Sequence, residues 1–83
     1  MNRQLAILNV LDTSPRPVPA DVIAALVHRF DAEPPFSKNV AKAVQQVKDE
    51  CDFMEKTGDV FYQAHRDQGR LWSITKIGRA RIS

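Results

Sequence analysis

Met54-Glu55-Lys56-Thr57-Gly58-Asp59-Val60-Phe61-Tyr62-Gln63-Ala64 holds the point at which the chain's periodicity changes from helical to extended. Behind it, Val40, Val44, Val47, Cys51 and Met54 recur at spacings of four, three, four and three. That rhythm puts them on one face of an α-helix. Lys56 falls in the last turn, and Gly58 suits a helix end that needs left-handed backbone. Ahead of Gly58, Val60-Phe61-Tyr62-Gln63-Ala64 is rich in strand-forming residues and is answered by Leu71-Trp72-Ser73-Ile74. Polar His65-Arg66-Asp67-Gln68-Gly69-Arg70 separates the two runs. The reading is a helix over about 38–57, then a hairpin over about 60–75 with a loop of about six residues. Thr75 is placed to cap a short basic turn over residues 76–83.

Upstream, two more helices are expected. Leu5, Leu8 and Leu11, with Ile7 beside them, mark a helix over residues 3–12, which Asp12-Thr13-Ser14-Pro15 breaks. Arg16 then lies in an extended connection between Pro15 and Pro17. Pro19 suits a first helical position, and Asp21 suits the first turn. Ile23, Leu26, Val27 and Phe30 make the buried stripe of a helix over residues 19–30. Asp31-Ala32-Glu33-Pro34-Pro35 ends it, and Ser37 is the expected N-cap of the third helix.

The chain has 83 residues, enough for one domain over residues 1–83 and too few for two. Hydrophobic residues make up 43% and charged residues 27%, an ordinary balance for a globular protein. No apolar run approaches the ~20 residues that cross a membrane. The first residues lack the apolar stretch of a secretory signal, so no membrane partner and a cytoplasmic location are expected. Cys51 is the single cysteine, so it can form no internal disulfide and no metal site alone. Net charge is +2, but its distribution is uneven. Residues 60–83 hold five basic groups against one acid, Asp67, while the first 59 residues hold seven basic and nine acidic groups. A basic quarter on a near-neutral body suggests a local anionic partner.

Three stretches resemble a known family. Pro19-Ala20-Asp21-Val22-Ile23-Ala24-Ala25-Leu26 resembles the second helix of winged helix-turn-helix regulators. Met54-Glu55-Lys56-Thr57-Gly58-Asp59-Val60 looks like the end of their recognition helix, where a glycine precedes the first wing strand. Leu71-Trp72-Ser73-Ile74-Thr75-Lys76-Ile77-Gly78 is similar to the second wing strand and the Thr-x-x-Gly turn that closes it. Over nearly its whole length the chain is thus similar to the winged helix-turn-helix DNA-binding superfamily, of the small bacterial or phage regulator type. The resemblance implies a mainly α fold with a small β-hairpin (α+β), built as three helices and a wing. It also implies binding to double-stranded DNA, with the third helix in the major groove and the wing on the backbone or minor groove. Two departures stand out. The Asp31–Phe36 connection is longer than a tight turn and carries two prolines, and no further helix follows the wing to make a dimer. The expectation is a monomer on DNA, or a homodimer joined through the first helix or the basic end.

The resemblance selects the binding residues. With Val40, Val44, Val47 and Cys51 facing the core, the opposite side of the third helix presents Lys38, Lys42, Gln45, Gln46 and Asp49, with Ser37 and Asn39 at its start. Lysine contacts phosphates or guanine edges, and Asn and Gln pair with adenine. The N–H groups of a helix N-terminus suit a phosphate. Asp49, Glu50, Asp52 and Glu55 would repel a backbone, so contact is expected only from about Lys38 to Gln46, in keeping with docking by the N-terminal part of a recognition helix. At the hairpin tip, Arg66, Gln68 and Arg70 suit phosphates or a narrow groove. Arg79 and Arg81 read either as an extension of that surface or as a basic unstructured tail, and Arg16 as a further backbone contact. Trp72 and Phe61 are expected to cover the core, with Tyr62 pointing the other way and His65 at the surface.

No catalytic constellation is visible. His28 and His65 lie on different elements, Cys51 falls on a buried stripe, and three scattered glycines make no phosphate loop. No cofactor is expected. Two alternatives stand beside a transcriptional regulator: a winged helix that grips a protein partner, and a module that positions DNA in a replication or recombination complex.

Overall fold

The computed structural model describes residues 1–83 and has four helices and a three-stranded antiparallel sheet. The order is α1 (Arg3–Thr13), β1 (Val18–Pro19), α2 (Ala20–Leu26), a 3-10 turn (Val27–Arg29), α3 (Val40–Lys56), β2 (Val60–His65), β3 (Gly69–Ile74) and α4 (Lys76–Ile82). None of the helices is long and apolar enough to cross a membrane.

α1 is the central element. Asn2 caps it by accepting from the Leu5 N–H. Ala6, Ile7, Leu8, Val10 and Leu11 are all buried, so its apolar surface wraps most of the way round rather than forming one stripe. A helix buried on several sides needs partners on several sides. Here α2, α3, β3 and α4 surround it. The first helix was one expected dimer face, but its apolar surface is spent inside the fold.

α2 begins at Ala20. Pro19 holds the N-cap position instead of the first helical one, and it also ends β1. The α-helix stops at Leu26, and a 3-10 turn carries the chain to Phe30, which has extended backbone. The Asp31–Phe36 connection is then pinned to the N-terminus. Arg3 donates from Nε to the Pro34 carbonyl and from Nη2 to the Pro35 carbonyl, and lies over the Phe36 ring. The terminal amine donates to the Asp31 carbonyl.

α3 starts later than its periodicity suggests. Asn39, not Ser37, is the N-cap, and its side chain accepts from the Lys42 N–H at 3.1 Å. Ser37 sits one step further out, accepting from the Asn39 N–H. The buried residues are Ala43, Val47, Cys51 and Met54. Val40 was expected on this stripe but is 77% exposed, because the first turn of α3 projects beyond the core. Val44 is half-buried. The helix ends in a Schellman motif. Gly58 has φ 85°, its N–H donates to the Glu55 carbonyl, and the Asp59 N–H donates to the Met54 carbonyl.

The sheet runs β1-β3-β2. Val60 pairs with Ile74, Tyr62 with Trp72 and Ala64 with Arg70, so these six residues share the sheet face turned toward α3. Phe61 belongs to the other face, which explains why it is exposed rather than in the core. Trp72 is buried as expected. The hairpin spans the expected residues, but its strands are longer and its turn tighter than the sequence suggests. Pairing continues to His65 and Gly69, leaving three residues between the strands. Gly69 takes φ 74°, the left-handed position such a turn requires. β1 adds a third strand through Val18 opposite Trp72 and Pro19 opposite Leu71.

The chain after Ile74 is neither a loose turn nor a tail. α4 packs on α1, with Thr75 as its N-cap accepting from the Gly78 N–H. Thr75 also donates to the Gly58 and Asp59 carbonyls at 2.6 and 3.0 Å, tying α4 to the end of α3. Asp59 is 4% exposed and receives Arg81 Nη1 at 2.6 Å and Thr57 Oγ1 at 2.8 Å.

Candidate nucleic-acid interface

The outward side of α3 follows from its core side. With Ala43, Val47, Cys51 and Met54 inward, Lys42, Gln45, Lys48, Asp49 and Asp52 are all exposed. Lys42 and Asp52 are ten residues apart, a rise of about 15 Å along the helix. β3 carries the hairpin back past this side. The start of α2, the middle of α3 and the hairpin tip enclose an open groove of about 760 Å³. Asp21, Val22, Lys48, Asp52, Gln68 and Arg70 are among its walls, and Trp72 closes the end nearest the core.

The nine residues selected from the sequence divide sharply once their partners are known. Lys38, Lys42 and Arg66 are exposed, and their charged ends form no ion pair. Gln68 is also exposed and lines the groove. The others are engaged. Ser37 and Asn39 are spent on capping α3. Gln46 is turned away from the groove side, with its Oε1 accepting from the Ser37 N–H at 2.8 Å. Gln45 donates to Asp49 Oδ1 one turn on, at 2.9 Å. Arg70 donates to Asp52 Oδ1 at 3.1 Å and lies over the Tyr62 ring. Gln46 and Arg70 therefore keep the right chemistry for a nucleic acid but already have partners inside the protein.

The groove brings Gln68 and Arg70 of the hairpin against α3, but it does not include Lys38. That residue stands at the far end of α3, beside a hollow of about 340 Å³ lined by Phe30, Phe36 and the Asp31–Phe36 connection. Lys48 is a groove cation that the emphasis on the first turns of α3 passes over. Its signal is in the sequence: it lies four residues after Val44, on the edge of the apolar stripe.

Two basic residues expected to extend this surface are used elsewhere. Arg79 Nε donates to Asp12 Oδ1 at 2.9 Å, and Arg81 bridges Asp59 and the Gln4 side chain. Both fasten α4 to the body. Arg16 remains exposed and without an ion pair. At the tip, His65 Nδ1 accepts from the backbone N–H groups of Asp67 and Gln68 at 3.1 and 3.2 Å, shaping the turn that presents Arg66.

Comparison with known proteins gives no match: no family model, no curated protein and no solved structure is significantly similar to the chain. The residues and their geometry therefore carry the functional reading.

Burial, with the neighbouring Asp52 and Glu50 charges, pushes the Cys51 thiol up to about 12, so it stays protonated and makes a poor nucleophile at neutral pH. No cluster of three His, Cys, Asp or Glu side chains is placed to hold a metal ion. What the surface does offer is a groove of mixed charge with further cations outside it. Two cations, Lys48 and Arg70, and three acids, Asp21, Asp52 and Asp67, line it, with Lys42 and Arg66 outside.

Proposed function

We propose that the chain is a winged helix domain that binds double-stranded DNA as a small transcriptional regulator. In this reading α3 enters the major groove from its N-terminal end, and the β2–β3 hairpin is the wing. One observation carries it: α3 exposes the unpaired cations Lys42 and Lys48 beside a hairpin whose tip offers unpaired Arg66. The element order supports it too. Three helices precede a hairpin, and a short strand between α1 and α2 joins the hairpin's second strand. An exposed helix face with cations at its borders suits a groove about 12 Å wide, with phosphates on either side.

The test is an anisotropy titration on a short random-sequence duplex over a range of salt concentrations. Affinity should fall steeply as salt rises. A Lys42→Ala/Lys48→Ala/Arg66→Ala variant should lose about 0.9 of log–log slope for each phosphate contact removed. Absence of binding at ~50 mM salt and micromolar protein, or binding indifferent to salt, rejects the reading.

A protein partner is the second reading. Asp21, Asp52 and Asp67 around the groove, and the exposed Val22 and Val40, favour it. Partner capture that survives the triple substitution would support it over DNA.

A further inference from the structure

Arg70 is held in a way that leaves it exchangeable. Its Nη1 donates to Asp52 Oδ1 at 3.1 Å, and its guanidinium carbon lies 4.4 Å from the centroid of the Tyr62 ring. Tyr62 is backed in turn by Trp72, with ring centroids 5.3 Å apart, and Trp72 is buried. The aromatic support is therefore anchored in the core, whereas the ion pair is not. The side chains of Arg70 and Asp52 are 52% and 53% exposed, and a pair so open to water and salt is held weakly. The guanidinium can turn its N–H edge to another acceptor while its face stays on Tyr62.

We propose that Asp52 is a built-in competitor for the cation that the hairpin offers to a nucleic-acid backbone. With no ligand, the pair draws the hairpin onto α3 across the groove. A phosphate entering the groove replaces the carboxylate, since both present paired oxygens that match the guanidinium fork. The proposal rests on the DNA reading above and deepens it. Asp52 does not simply repel a backbone; it sets a threshold that a phosphate must exceed to engage Arg70.

The experiment compares duplex affinity and salt slope for the full chain, Asp52→Asn and Asp49→Asn, each with and without Arg70→Ala. Asp49 is the control: it lies on the same exposed side and carries the same charge, but its carboxylate accepts from Gln45 rather than from an arginine. The expected result is that Asp52→Asn raises affinity roughly fivefold beyond Asp49→Asn at an unchanged slope, since Arg70 meets a phosphate in both, whereas Arg70→Ala lowers the slope by about 0.9. That excess should vanish in the Arg70→Ala background. Salt-dependent binding with Asp52→Asn and Asp49→Asn equal, or an excess that persists without Arg70, overturns the competition and leaves the DNA reading standing. No duplex binding by any of these proteins overturns both and leaves the groove to a protein partner.

Discussion

Gly78 shows how little space the junction between α3, the hairpin and α4 leaves. A Cβ on it would overlap the Asp59 carbonyl oxygen and stand 3.0 Å from the Asp59 carbonyl carbon. The obstacle is backbone, and that backbone is held by two hydrogen bonds from Thr75. It cannot swing aside as a flexible side chain would. Gly78→Ala should therefore cost about 3 kcal/mol despite its favourable helix propensity, read as a lower urea midpoint at unchanged m-value. The spacing of Thr75 and Gly78 stands out in the sequence as a turn. Its physical reason does not, because the carbonyl that excludes a side chain lies 19 residues earlier. The same limit applies to the candidate site. Residue types suited to phosphate were visible, but the partners that engage Arg70 and Gln46 were not. Asp52 and Ser37 lie 18 and nine residues away and meet them only through the fold.

Among the elements, α3 separates periodicity from burial. Val40 and Val47 obey the same spacing, yet Val40 is 77% exposed and Val47 is fully enclosed. Val47→Ala should lower stability by about 2 kcal/mol, through lost burial and the cavity it leaves. Val40→Ala should stay within about 0.5 kcal/mol of the parent, since alanine gains helix propensity where valine gains no packing. Thermal unfolding of the two variants side by side checks both values, and an equal loss would put Val40 in the core. Long periodic elements such as α3 and β2–β3 were legible because their own residues specify them. β1 was not: two residues, one of them proline, carry no period, and the strand exists only through Trp72 and Leu71 opposite. α4 was legible only as a short turn capped by Thr75, not as a helix packed on α1. Its apolar residues are few, and its stability comes from Thr75 at its start and from packing on α1.

For the whole molecule, closure depends on contacts between the two ends of the chain. Arg79 meets Asp12 across 67 positions, and Arg81 meets Gln4 across 77. Gln4 passes the link on to Glu50 of α3, and Arg81 also reaches the enclosed Asp59, so these two side chains together join α1, α3, the hairpin base and α4. We expect contacts so far apart in sequence to close after the transition state, once the segments between them have folded. The seam is thus a brake on leaving the native state. Arg81→Ala, which strands the Asp59 carboxylate at a cost of about 2 kcal/mol, should raise the unfolding rate roughly thirtyfold and leave the folding rate unchanged. Stopped-flow chevrons would show it as a shift of one arm only, and a matching fall on the folding arm would place the closure of the two ends early instead.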